Sequence, residues 1–108
     1  MGKHIQISAA PGRYRVRLGD TVIGETAAAL NLVEGGGRPV IYVPRADMRM
    51  DLLQATDRHT TCPWKGQASY FSIGTAANVV WSYQTPKADV AGIAGHLAFY
   101  PAVTVEQV

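Results

Sequence analysis

Short runs of alternating apolar and polar residues, cut at close intervals by glycine and proline, restrict what this chain can become. Arg13-Tyr14-Arg15-Val16-Arg17-Leu18 alternates strictly, with Tyr14, Val16 and Leu18 on one face and three arginines on the other. That two-residue period belongs to a half-buried strand. Gly19-Asp20 follows, then Thr21 to Glu25 resumes the extended pattern, and two such runs around a Gly-Asp pair read as a β-hairpin. Pro39-Val40-Ile41-Tyr42-Val43 is β-branched and aromatic, hence a further strand stopped by Pro44. Strands are also expected at Leu30–Glu34, Ala68–Ile73, Asn78–Tyr83, His96–Tyr100 and Val103–Val105. Helical turns are expected at Thr26–Ala29, at Met48–Leu53 with Asp47 as N-cap, and at Ala88–Ile93. Thr56 to Pro63 is polar and reads as irregular. Seven or eight short strands with minor helices describe an all-β sandwich, barrel or folded-over sheet.

One domain is all that 108 residues can build. With 47% hydrophobic residues, the chain has enough apolar surface to form a core. No apolar run approaches the roughly 18 residues that cross a bilayer. The opening Met1 to Ile7 alternates and lacks the apolar centre of a signal peptide. A single cysteine makes no internal disulfide, so a reducing cytoplasm is the expected compartment. A net charge of +2 falls short of the basic stripe a nucleic-acid polymer calls for. No membrane association is expected, and an open strand edge would allow two copies to pair.

Cys62-Pro63-Trp64-Lys65-Gly66, preceded by His59 and followed by Tyr70, is the densest group of chemically useful residues. A cation such as Lys65 beside Cys62 would favour the thiolate a nucleophile needs; the plainer reading is a small buried thiol at a turn. His59 and Cys62, with His96 or Asp47, could share a metal, but one cysteine and no paired motif do not match a structural zinc site, and no metal is expected. Asp47 and Asp51 stand one helical turn apart, a spacing that serves a divalent ion or simply a solvated helix start. Gly35-Gly36-Gly37-Arg38 lacks the Gly-Lys-Ser/Thr ending of a phosphate loop and reads as a hairpin tip. Aromatic residues gather at Tyr42, Trp64, Tyr70, Phe71, Trp81, Tyr83, Phe99 and Tyr100. Tyrosine and tryptophan carry polar atoms that want partners when buried, so several of them near one lysine would wall a pocket.

The order of these motifs is recognisable. Glu34 before a glycine tip, Tyr42-Val43-Pro44-Arg45-Ala46-Asp47, Cys62-Pro63-Trp64-Lys65-Gly66-Gln67-Ala68-Ser69-Tyr70, Trp81-Ser82-Tyr83-Gln84-Thr85-Pro86 and Gly95-His96-Leu97-Ala98-Phe99-Tyr100 together resemble the bacterial domain of unknown function family 427, also labelled nucleotidyltransferase-like. The resemblance runs from about Arg13 to Val105. It implies an all-β fold of the β-tent kind, two antiparallel sheets leaning together with one or two short helices. The zinc that many β-tent proteins hold between cysteine pairs is not carried over, because those pairs are absent. Nor is nucleotidyl transfer, which gathers carboxylates around magnesium, since no Asp-x-Asp is present.

Cys62, Lys65, Tyr70, Trp81 and Tyr83 are not explained by turns, since a core would accept leucine or phenylalanine in their place. The leading expectation is a pocket, lined by Glu34, Tyr42, Lys65, Tyr70, Trp81 and Tyr83, for a small planar or anionic ligand such as a nucleotide, with Lys65 as charged anchor. The alternatives are an enzyme with Cys62 as nucleophile, Lys65 lowering its pKa and Asp47 or His59 carrying the proton, and a structural or interaction module. No cofactor can be named from the residues.

Overall fold

The structure is a computed structural model and describes residues 4–108. Its strands are β1 (Ile5–Ala9), β2 (Tyr14–Leu18), β3 (Thr21–Thr26), β4 (Leu30–Glu34), β5 (Val40–Tyr42), β6 (Gln54–Cys62), β7 (Gly66–Ile73), β8 (Ala76–Ser82), β9 (Leu97–Phe99) and β10 (Thr104–Gln107). The all-β, antiparallel architecture expected from the pattern is present, in one compact domain with only short 3-10 turns. The strands divide among three sheets, ordered β1-β4-β5, β10-β2-β3 and β6-β7-β8-β9, where two leaning sheets were expected.

Two of the three are joined edge to edge. Val43, just past β5, exchanges both backbone hydrogen bonds with Leu97 of β9, each 2.8 Å long. Seven strands therefore run as one hydrogen-bonded layer, β1-β4-β5-β9-β8-β7-β6. Register then decides which side chains share a face, because successive residues point to opposite sides. Ile41, Val43, Leu97, Val80 and Phe71 face the β10-β2-β3 sheet and pack with its Val16 and Ile23 into one core cluster. The opposite face gathers Leu32, Tyr42, Ala98, Tyr70 and Ala68, closed by Val90 and Ile93 from the 3-10 segment Ala88–Ile93, into a second cluster.

That second face is concave. β4 and β7 lie four strand spacings apart along the layer, about 19 Å if it were flat. Yet Glu34 at the end of β4 meets Lys65, beside the start of β7, at 2.7 Å. The layer must curl to bring them together, in the sense that twisted antiparallel sheets adopt.

Three local expectations are corrected. Thr26–Ala29 makes no helical turn; Thr26 instead caps its own bend, accepting from the Ala28 N–H at 2.9 Å and donating to Asp47 at 2.7 Å. The helix expected after Asp47 is two separate 3-10 turns, Arg45–Asp47 and Met50–Leu52. Asp47 is the last residue of the first, not an N-cap. Gln54–Cys62, which covers most of the stretch read as irregular, is the longest strand. Its polarity comes from its place at the outer edge of the layer, where most of its side chains meet water.

The arginines at 13, 15 and 17 lie on the solvent side of β2 and pair across strands, the first two with Glu25 and the third with Glu106. Such exposed pairs contribute little to stability. The three-stranded sheet is fastened to the chain after β5 by the bridge between Gly24 and Met48. A Cβ at Gly24 would collide with the Met48 sulfur and stand 3.0 Å from the Asp47 carbonyl oxygen. Gly24→Ala is therefore expected to destabilise the fold by about 1–3 kcal/mol, read from its urea midpoint; an unchanged midpoint would contradict this close approach.

Candidate functional site

The concave face opens into a cleft of about 300 Å³ lined by Leu32, Glu34, Arg38, Val40, Tyr42, Lys65, Tyr70, Trp81, Tyr83 and Tyr100. Four of the five tyrosines and one of the two tryptophans meet there. Strand register explains the gathering. Tyr70 of β7 pairs with Trp81 of β8, and Trp81 with Ala98 of β9, so all three point to the same side. Tyr83 lies two residues beyond Trp81, and Tyr100 two beyond Ala98, which keeps both on that side. From β5, Tyr42 arrives opposite, its ring edge-on to Trp81 with centroids 6.5 Å apart.

The rings brace one another. Trp81 and Tyr100 lie 4.8 Å apart at a tilt of 56°, and Tyr100 stacks on Tyr70 at 6.4 Å, both within the range of favourable aromatic pairs. Trp81 Nε1 donates to the Tyr42 hydroxyl at 3.3 Å, and the Tyr70 hydroxyl shares a 2.8 Å hydrogen bond with Thr60. Burial pushes the pKa values of Tyr42 and Tyr83 upward. Both phenols stay protonated at neutral pH, and Tyr42, whose oxygen accepts from Trp81, keeps its own O–H to donate.

Charge enters from two tight turns. Gly66, at φ 111°, ends the turn between β6 and β7 in a conformation that only glycine adopts without strain. That turn presents Lys65, whose carbonyl accepts from the Lys87 N–H at 2.9 Å. The Lys65 side chain is only 11% exposed and reaches Glu34 Oε1 at 2.7 Å, with its ammonium 5.7 Å from the centre of the Tyr83 ring. Burial alone would lower the lysine pKa, but the hydrogen bond and charge of Glu34, with smaller help from Cys62 and Tyr42, outweigh it and raise the pKa above 10.5.

The second turn joins β4 to β5. Gly35 and Gly36 both have positive φ, and the Gly37 N–H returns to the Glu34 carbonyl at 3.0 Å, the pattern of a type I′ hairpin turn. It delivers Arg38, exposed, to the cleft. Among the described residues, Arg38 has no ion-pair partner.

All six residues read from the sequence as ligand contacts (Glu34, Tyr42, Lys65, Tyr70, Trp81 and Tyr83) line this one cleft. In the nucleophile reading Cys62 and Lys65 are neighbours, while the two proton carriers are engaged elsewhere. Cys62 is half-buried and packed against the second core cluster, near enough to Lys65 to act on its pKa though not itself part of the cleft lining. Asp47 is exposed in the Arg45–Asp47 turn, hydrogen-bonded to Thr26. His59 lies on the outer strand, its ring against the Asp57 carbonyl. Among the described residues no three His, Cys, Asp or Glu side chains come close enough to hold a metal ion. Arg38 and Tyr100 were not among the residues picked as ligand contacts. The triple glycine before Arg38 is its one visible signal, read as a hairpin tip because it lacks the ending of a phosphate loop.

Family comparison covers nearly this whole unit: a domain of unknown function, DUF427, matches residues 6–108. The chain belongs to that family. No curated protein matches it in sequence. In this DUF427 chain both charged turns and all the cleft rings fall inside the matched span.

Removing the Lys65 ammonium strands a carboxylate that water can partly reach, since the Glu34 side chain is 26% exposed. Lys65→Met is therefore expected to cost about 1–2 kcal/mol at pH 7, less than the 3–5 kcal/mol of a fully buried pair. Because the folded-state pKa of Lys65 is raised, this contribution is complete below the ordinary lysine value and is lost as pH climbs through the raised one. Urea melts from pH 7 to 11.5 should show wild type losing its advantage over Lys65→Met above about pH 10.5. A constant gap across that range would contradict the assignment.

Proposed function

We propose that this domain binds a small ligand combining a planar ring with an anionic group, such as a nucleotide, in the concave cleft. One observation carries the reading: five aromatic side chains and two cations converge on a space of about 300 Å³, the size of an ordinary small-molecule site. Aromatic faces accept a flat ring, and base-to-aromatic stacking contributes about 1–3 kcal/mol per ring. Lys65, Arg38 and Glu34 give the lining a formal charge of +1, which favours an anion. The phenol of Tyr42 adds a neutral donor. Among the described residues no helix is long and apolar enough to cross a membrane. A cytoplasmic setting, in keeping with the unpaired thiol, is part of the proposal.

Binding without covalent chemistry fits a cleft whose lining includes neither Cys62 nor the proton carriers Asp47 and His59 better than nucleophilic catalysis does. Thermal-shift and calorimetric titration measurements test the reading. Nucleoside monophosphates should raise the melting temperature more than ribose 5-phosphate, which offers the anion without the ring. Trp81→Ala should weaken binding about tenfold or more, and Cys62→Ser should leave it unchanged. Equal responses to the two ligand types would remove the role of the rings, and loss of binding in Cys62→Ser would favour the thiol-based alternative.

A further inference from the structure

The two cations of the cleft are not equivalent. Lys65 is matched by a carboxylate at 2.7 Å and is nearly buried; together the pair carries no net charge. Arg38 is exposed on a glycine turn and unmatched among the described residues. An anion drawn toward Lys65 would meet the Glu34 carboxylate beside it and be repelled. Among the described residues no carboxylate stands within ion-pair distance of Arg38, whose planar fork also suits phosphate geometry.

The Lys65–Glu34 pair, in contrast, still has hydrogen-bonding capacity. Lys65 has three N–H donors and spends one on Glu34. Glu34 Oε2 has no partner among the described residues, and both side chains line the cleft. A donor and an acceptor therefore stand side by side at its wall. Such a pair reads a neutral edge with adjacent acceptor and donor, as on a cyclic amide or an amino-substituted nitrogen heterocycle.

Resting on the reading that the cleft takes a planar anion, we propose a division of labour within it. Arg38 holds the phosphate of a nucleoside monophosphate at the mouth, while Lys65 and Glu34 together read the hydrogen-bonding edge of its base between the aromatic side chains. Lys65 is then a reader of neutral groups and not the anion anchor its charge implies. The ring is oriented by the phosphate, so the pair distinguishes the order of donor and acceptor along that edge.

Inosine and adenosine 5′-monophosphates have the same shape and reverse that order, which makes them the probes. Titrated against the full chain at fixed salt, they should differ in affinity by at least about tenfold. Glu34→Gln, whose amide can present either a donor or an acceptor, should bring the two affinities together. Arg38→Ala should abolish the preference for each monophosphate over its nucleoside while leaving nucleoside binding intact. Folding of each variant is checked by its circular-dichroism melt, and the wild-type ratio decides the base-edge part even where Glu34→Gln fails to fold. Equal binding of the two monophosphates overturns the base-edge reading and leaves the planar-anion reading standing. A phosphate preference that survives Arg38→Ala overturns the role of Arg38. Failure of both monophosphates and both nucleosides to bind overturns this division of labour and the function it rests on together.

Discussion

The backbone exchange between Val43 and Leu97 is the constraint from which the rest of the molecule follows. Without those two hydrogen bonds the chain would be three small sheets, each too narrow to enclose anything. With them, seven strands share one ladder, and a ladder of that width in L-residues twists and curls. One face becomes convex and is covered by the β10-β2-β3 sheet through Val16 and Ile23. The other becomes concave and draws side chains from distant parts of the chain toward a common centre. The pairing of Glu34 with Lys65 both needs the curl and helps to hold it.

On the concave side the sheet divides its work between core and cleft. Near the 3-10 segment, Val90 and Ile93 fill the hollow with apolar atoms. Farther along, the filling is tyrosine and tryptophan, whose rings pack against each other while their polar atoms find partners at Thr60 and Tyr42. A leucine core of the same volume would pack as well and offer nothing to a guest. The aromatic choice keeps hydrogen-bonding groups at the surface of a hydrophobic hollow.

Much of this was legible in the sequence because the strand period is local. The alternation at Tyr14–Leu18 and the shared side of Trp81 and Tyr83 need only the geometry of an extended chain. The convergence of Glu34, Tyr42, Lys65, Tyr70, Trp81 and Tyr83 could be anticipated because such residues are poor choices for a plain core. The features not legible in the sequence depend on long-range context. Gln54–Cys62 looks irregular in isolation, and only its position at the outer edge explains a strand so polar. The turns after Pro44 follow from the bridge between Gly24 and Met48, which no neighbouring residue announces. Arg38 was hidden for a similar reason: its significance comes from the curl that swings the β4–β5 turn over the hollow.

That turn has a further consequence. Arg38 stands on an exposed connection whose glycines make few contacts, whereas the rings beneath it are locked into a shared ladder. Surface connections of this sort accept insertions and replacements far more readily than strands do. On the ligand-binding reading proposed above, the rim is free to change while the hollow is inherited unchanged, so chains with the same aromatic interior and differing tips would form a series of receptors tuned to different charged tails.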